Sequence, residues 1–266
     1  MAFAAWNPAA QAAAYVVVAI AGLAVGTLAN VCADVVAGDE EPPWRSATCR
    51  KCGAELPSAR LVPVLNLRVE RRTCVACGQR ASLRRPLLEL ALAVVFPLLL
   101  AHLTEGANAG RISPWAIFLI DVVACGVLAF IFAVDLEHHL ILDVAIYPLS
   151  VALLLLALLF DHKAFAGMLF GVVLCGGLFL LLYGLGFLLY HQEALGFGDV
   201  KLAVLVGLLV GWPGVVVALA VGALAGAAVS MLLLGLGSAT RQTFIPFGVF
   251  IVAGAVVALL VSHPLW

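Results

Sequence analysis

The chain has 266 residues, 65% of them hydrophobic and only 11% charged, with a net charge of −1 and a mean hydropathy of +1.17. A soluble domain carries roughly 45–50% apolar and about 25% charged residues, so the composition excludes an ordinary soluble protein and predicts an all-α polytopic membrane protein. Ten of the 14 basic residues lie between Arg45 and Arg85, with Asp39, Glu40, Glu41, Glu55 and Glu70 in and around them and no interleaved aromatic platform; this reads as a hydrated domain and argues against nucleic-acid binding.

The first apolar run spans 12–36. No Lys or Arg precedes Trp44, so it lacks the basic start of a cleaved secretory signal and is expected to remain as a membrane span with its N-terminus outside. A hydrophilic segment follows over 38–86. It contains Cys49-Arg50-Lys51-Cys52-Gly53 and Cys74-Val75-Ala76-Cys77-Gly78, two CxxC pairs with 21 residues between them. Two residues between thiolates let both grip one ion, and the trailing glycine lets the backbone turn beneath the sulfurs. Cys49, Cys52, Cys74 and Cys77 are therefore expected to hold a structural zinc, with no open position for water. The alternative, disulfide or redox pairs, is disfavoured by a cytoplasmic placement. Cys32, Cys125 and Cys175 fall in apolar runs and are expected to be small buried hydrophobes.

Seven further runs follow, at 87–104, 114–134, 141–160, 164–190, 199–212, 214–236 and 245–262, which makes eight spans of helix across ~30 Å of hydrocarbon. Threading them from an outside N-terminus puts twelve basic residues inside, Lys201 and Arg241 included, and only Arg111 and Lys163 outside, as the bias of cytoplasmic loops toward positive charge requires. Gly207-xxx-Gly211 and Gly222-xxx-Gly226 predict close helix packing in the later spans.

Two acids sit where the chain is most hostile to charge. Asp135 follows the run 124–134 and opens Asp135-Leu136-Glu137-His138-His139-Leu140-Ile141-Leu142-Asp143, read as a short cytoplasmic turn; Asp199 closes Gly196-Phe197-Gly198-Asp199 just ahead of another run. A carboxylate at the edge of hydrocarbon is costly unless paired, neutralised or hydrated, so such acids are functional candidates. The threading places both at the cytoplasmic face, and two acids on one face suggest a dyad that shares a proton and activates water without a metal. Gly196 and Gly198 permit a close backbone approach. Lys201 is a candidate to support the charged form or the substrate, and Glu89, near the start of the second span, to align substrate or pair with an arginine. A proton-coupled transporter using Asp135 and Asp199 would explain the acids, but neither the cysteines nor the GxGD.

Residues 49–89, 135–143, 196–211 and 245–250 together resemble the bacterial type IV prepilin peptidases, the GxGD aspartic peptidases of type IV pilus and type II secretion systems. The matching pieces are the CxxC pairs, Arg85-Pro86-Leu87-Leu88-Glu89-Leu90, the acid-led segment from Asp135, Gly-Phe-Gly-Asp-Val-Lys-Leu-Ala from Gly196, and Ile245-Pro246-Phe247-Gly248. Gly26-Thr27-Leu28-Ala29-Asn30-Val31 stands where that family usually has Gly-Ser-Phe-Leu-Asn-Val, followed by Asp34 rather than a basic residue. The resemblance implies catalysis by Asp135 and Asp199 and cleavage of prepilin or pseudopilin leaders after glycine on the cytoplasmic side of the bacterial inner membrane. It also implies N-methylation of the new terminus from S-adenosylmethionine. The chain then divides into a first span (1–37), a tetracysteine domain (38–86) and a membrane peptidase domain (87–266).

Overall fold

The computed structural model describes residues 6–36, 83–105, 113–190, 195–237 and 246–262, together with Cys52, Ala54, Cys74 and residues 76–78. Cys49, Arg111, Arg241 and the basic residues from Arg45 to Arg80 lie outside the described residues. The described elements are all α-helices: α1 (Pro8–Val36), α2 (Arg84–Glu105), α3 (Pro114–His138), α4 (Asp143–Phe160), α5 (His162–Tyr190), α6 (Phe197–Gly235) and α7 (Gly248–Val261). Six are long and apolar enough to cross a membrane, and α7 is a shorter apolar helix. Large apolar side chains such as Leu159 (70%) and Leu224 (71%) stand exposed on the helices, an arrangement suited to lipid and not to water.

The runs expected at 199–212 and 214–236 are joined in α6, whose 39 residues include a break where Gly211 (φ 49°, ψ −161°) and Trp212 leave helical geometry ahead of Pro213. Glycine is the residue suited to that φ, and proline supplies no N–H to continue the ladder.

Contacts divide the chain into two units. The first comprises residues 1–107 and 125–134. Here α1 hides Gly22, Gly26, Ala29, Asn30, Ala33 and Asp34, one stripe at helical spacing. The stripe lets α1 and α2 meet backbone to backbone: Gly22 abuts the Leu92 backbone, and a side chain at Gly26 would meet Glu89 Cα at 2.7 Å. Polar groups are concentrated along the same seam. The Asp34 carboxylate accepts from Arg84 and from Arg85, each at 2.6 Å, and Arg84 also donates to the Ala133 carbonyl at 3.2 Å. Asn30 Nδ2 donates to the Gly26 and Arg85 carbonyls at 3.0 and 3.2 Å. Glu89, 2% exposed, accepts from the Thr27 hydroxyl at 3.1 Å. In the sequence, Arg84 reads only as the end of a hydrated basic run; the structure buries it against an acid, with Arg85 half-buried beside it.

The second unit comprises residues 108–124 and 135–266. The glycine spacings act as expected. Gly171 of α5 sits against Gly207 and Gly211 of α6, Gly254 of α7 sits against Ala218, and Gly222 and Gly226 face Phe250. Asp121, in the span-forming part of α3, is buried at 9% exposure. Among the cysteines outside the CxxC pairs, Cys125 and Cys175 are buried as expected, whereas Cys32 is exposed, because it lies off the Gly26–Ala33 stripe that α2 covers.

Candidate active site and metal centre

The first acid lies inside a helix and not after one. α3 runs to His138, so Asp135, Glu137 and His138 are helical. The Asp135 carbonyl accepts the His139 N–H at 3.0 Å, with His139 left-handed at φ 54° closing the helix. Histidine is among the residues that enter this region more readily than most. Only residues 139–142 then link α3 to α4. The second acid stands in the first turn of α6: Gly196 is the N-cap, in extended geometry, and the Asp199 N–H donates to the Gly196 carbonyl at 3.0 Å. Both carboxyl groups belong to buried residues, Asp135 at 4% and Asp199 at 8% exposure.

What joins them is the start of α7 and the α3–α4 link. The Val249 N–H, free at the helix start, donates to Asp135 Oδ2 at 3.0 Å, placing the carboxylate at the positive end of the helix dipole. Glycine at position 248 leaves room for this, since a Cβ there would lie 2.6 Å from Asp135 Oδ2 and the carboxylate would have to shift. The Ile141 side chain fills the space between the two acidic segments. Its Cβ lies 3.0 Å from where a Cβ on Gly198 would stand, and its Cδ1 3.3 Å from the corresponding point on Gly248. The structure therefore brings together two acids 64 positions apart, with Gly196 and Gly198 beside Asp199 and Gly248 beside Asp135.

Ile141 and Val249 had no role of their own in the sequence reading, and Gly248 entered it only within Ile245-Pro246-Phe247-Gly248. The available signal was Pro246-Phe247-Gly248 ahead of an apolar run, a helix start carrying a residue without a side chain.

Lys201 does not turn to the acids. Its Nζ pairs with Asp143 at 2.7 and 3.0 Å, and it lies 5.7 and 5.5 Å from the Tyr147 and Phe197 ring centroids. The pair ties the first turn of α4 to the second turn of α6. Because it is open to solvent, with side-chain exposures of 25% and 50%, Lys201→Ala is expected to leave the peptide cleavage that the family resemblance implies within about fivefold of the parent rate, the scale of an exposed ion pair. Initial-rate assays check this. Glu89 is engaged by Thr27 in the first unit.

Cys52, Cys74 and Cys77 place their Sγ atoms within 4.8 Å of one another, with Cys52 and Cys74 3.6 Å apart. A tetrahedral zinc with ~2.3 Å Zn–S bonds holds its sulfurs about 3.8 Å apart, whereas a disulfide would need about 2.05 Å. The spacing and the all-sulfur donor set fit a thiophilic ion. Gly78 provides the expected turn, with φ 70° and its N–H donating to the Cys74 carbonyl at 2.8 Å.

Residues 122–231 match the type IV leader peptidase family, and residues 20–103 match the bacterial peptidase A24 N-terminal domain. A prepilin leader peptidase/N-methyltransferase of Burkholderia pseudomallei is 30% identical over 84% of this chain and 69% of its own length. The chain belongs to the type IV leader peptidase family. Proteins of the same name from Pseudomonas aeruginosa (27% identical, 81% of this chain, 71% of the relative) and Legionella pneumophila (25%, 92% and 90%) are also similar. No solved structure matches the chain. The peptidase match contains both Asp135 and Asp199, and the N-terminal match contains the cysteine cluster and the polar seam of α1 and α2. The chain is thus a membrane peptidase.

Proposed function

We propose that the chain cleaves the leader peptides of prepilins or pseudopilins, and that Asp135 and Asp199 carry out the hydrolysis. The observation supporting this is the meeting of two buried acids around Ile141, one of them bonded by the first turn of α7. Two carboxyls in one site do not both ionise cheaply, so the pair shares a proton. The ionised member takes a proton from water, which attacks the scissile carbonyl; the protonated member hydrogen-bonds the carbonyl oxygen and then supplies the proton to the leaving amine. The dyad titrates as a unit. A proton-coupled transporter gains no support from the relatives described above, which are named as prepilin leader peptidases.

Counting α6 as two spans about Gly211–Trp212 and α7 as one gives eight transmembrane helices. With the N-terminus outside, the tetracysteine domain (38–86) and the acid pair then face the cytoplasm, and residues 87–266 form the peptidase domain of an inner-membrane protein. Methylation of the new amino terminus from S-adenosylmethionine is the second proposed activity. Among the described residues the elements are helices only, without the glycine-rich strand-to-helix turn that cradles a nucleotide in α/β folds.

Purified protein incubated with a prepilin carrying a Gly-Phe junction should yield a product whose mass marks cleavage after glycine, with a further methyl group when S-adenosylmethionine is supplied. An intact prepilin after prolonged incubation contradicts the reading.

Two further outcomes follow from the geometry. Gly248→Ala would push a methyl into Asp135 Oδ2, 2.6 Å away. Displacing a reacting group by even 1 Å can cost about 100-fold, and that is the expected fall in kcat/KM for prepilin. Cys49, Cys52, Cys74 and Cys77 are proposed to hold one structural zinc, so Cys74→Ser should release it and destabilise the tetracysteine domain, with cleavage lost only in part. Metal analysis by plasma mass spectrometry checks this, and a parent protein without bound zinc or another thiophilic metal contradicts it.

A further inference from the structure

An apolar cavity of about 410 Å³ lies among α5, α6 and α7 in the second unit. Its volume falls within the range of ligand pockets, roughly 300–1,000 Å³. The lining includes Leu182, Val206, Leu219 and Ala223 and carries no charged side chain.

Two other lining residues fix its place relative to the acids. Leu195 lines the cavity and immediately precedes Gly196, where a Cβ would stand 3.6 Å from Asp199 Oδ2. Phe247 lines it as well and immediately precedes Gly248, where a Cβ would stand 2.6 Å from Asp135 Oδ2. The cavity is thus bordered by the residue before each of the two glycines that face the carboxyl groups.

We infer that this cavity is a substrate subsite that receives apolar side chains of the peptide segment adjoining the scissile bond. The inference rests on the reading of Asp135 and Asp199 as the hydrolytic pair. A peptide that reaches carboxyls of 4% and 8% exposure has to leave water. A polar side chain entering this lining would lose its hydration and find no hydrogen-bonding partner, whereas an apolar one is favoured by the same transfer. The subsite therefore selects by apolar character beside the cut, while the acids supply the chemistry.

The test uses full-length protein in phospholipid nanodiscs. Benzoylphenylalanine is placed at Leu219 in an Asp199→Asn background, and prepilin is added before irradiation. Adducts to prepilin within about six residues of the scissile bond, the reach of an extended strand across the cavity, are expected. Adducts to phospholipid alone would mean that an acyl chain occupies the cavity and would overturn the inference.

Ala223→Trp, which fills the cavity from its exposed side, gives a second readout in otherwise active enzyme. KM for a prepilin with large apolar residues beside the cut is expected to rise about tenfold or more relative to one with alanines there, the scale of a filled apolar pocket. An unchanged ratio of the two KM values contradicts the subsite while leaving the peptidase reading intact. Normal cleavage by Asp135→Asn would instead remove the reading on which the subsite depends.

Discussion

Asp135→Asn and Asp199→Asn should each lower kcat/KM for prepilin cleavage by about ten-thousandfold, the scale on which removing one member of a concerted acid–base group acts. Asparagine keeps the size of the side chain, and its amide oxygen can still accept the Val249 N–H that Asp135 Oδ2 accepts at 3.0 Å. It can neither take a proton from water nor return one to the leaving amine. Both residues are buried, and removing a charge from a buried site does not by itself weaken packing, so each variant should insert and purify like the parent. Initial rates on a prepilin, together with thermal unfolding of the same preparations, separate chemistry from folding. A variant that retains substantial cleavage would remove its residue from the catalytic pair.

Asp34→Ala should destabilise the protein by about 3–5 kcal/mol, the cost of removing one partner from a buried ion pair. Asp34 and Arg84 have side-chain exposures of only 2% each, and Arg85 is the more open at 15%. Alanine would take the carboxylate away from the buried Arg84 guanidinium in the seam between α1 and α2. Replacing the more buried pair by apolar residues of similar volume, Asp34→Leu with Arg84→Met, should recover part of the loss, because the buried Arg84 charge goes with its partner and Arg85, which also loses Asp34, is the more open arginine. Thermal unfolding in detergent checks both statements. Equal unfolding temperatures for the parent and Asp34→Ala would contradict them.

The helical architecture was legible because its signal is local. Runs of about 20 apolar residues admit only helices in lipid, and the spacing of Gly207 and Gly211 announced the contact that Gly171 makes. The boundary between the runs 199–212 and 214–236 was legible, and the structure holds a kink there within one element. The end of α3 was misjudged because polar residues suggested a loop, yet nothing between Asp135 and His138 stops a helix; the stop is the left-handed His139.

The acids themselves stood out by chemistry, as charges beside apolar runs. Their setting did not. The bond from Val249 to Asp135 spans 114 positions, and neither a periodicity nor a local motif encodes which helix start meets which carboxylate. Ile141 looked like one aliphatic residue among many until its contacts toward Gly198 and Gly248 were seen. Asp34 was opaque for the same reason. An acid at the end of the first apolar run and two arginines 50 and 51 positions later are separate events in the sequence, and only the packing of α1 on α2 makes them one cluster.

The central claim is that Asp135 and Asp199 act as a single hydrolytic unit, and a double-mutant cycle on prepilin cleavage tests it most directly. With the parent, Asp135→Asn, Asp199→Asn and the double variant assayed side by side, the double variant should be no slower than either single variant, because losing one acid already disables the pair. Losses that multiply, so that the double variant falls by the product of the two single effects, would mean that the two acids work independently and would contradict the account.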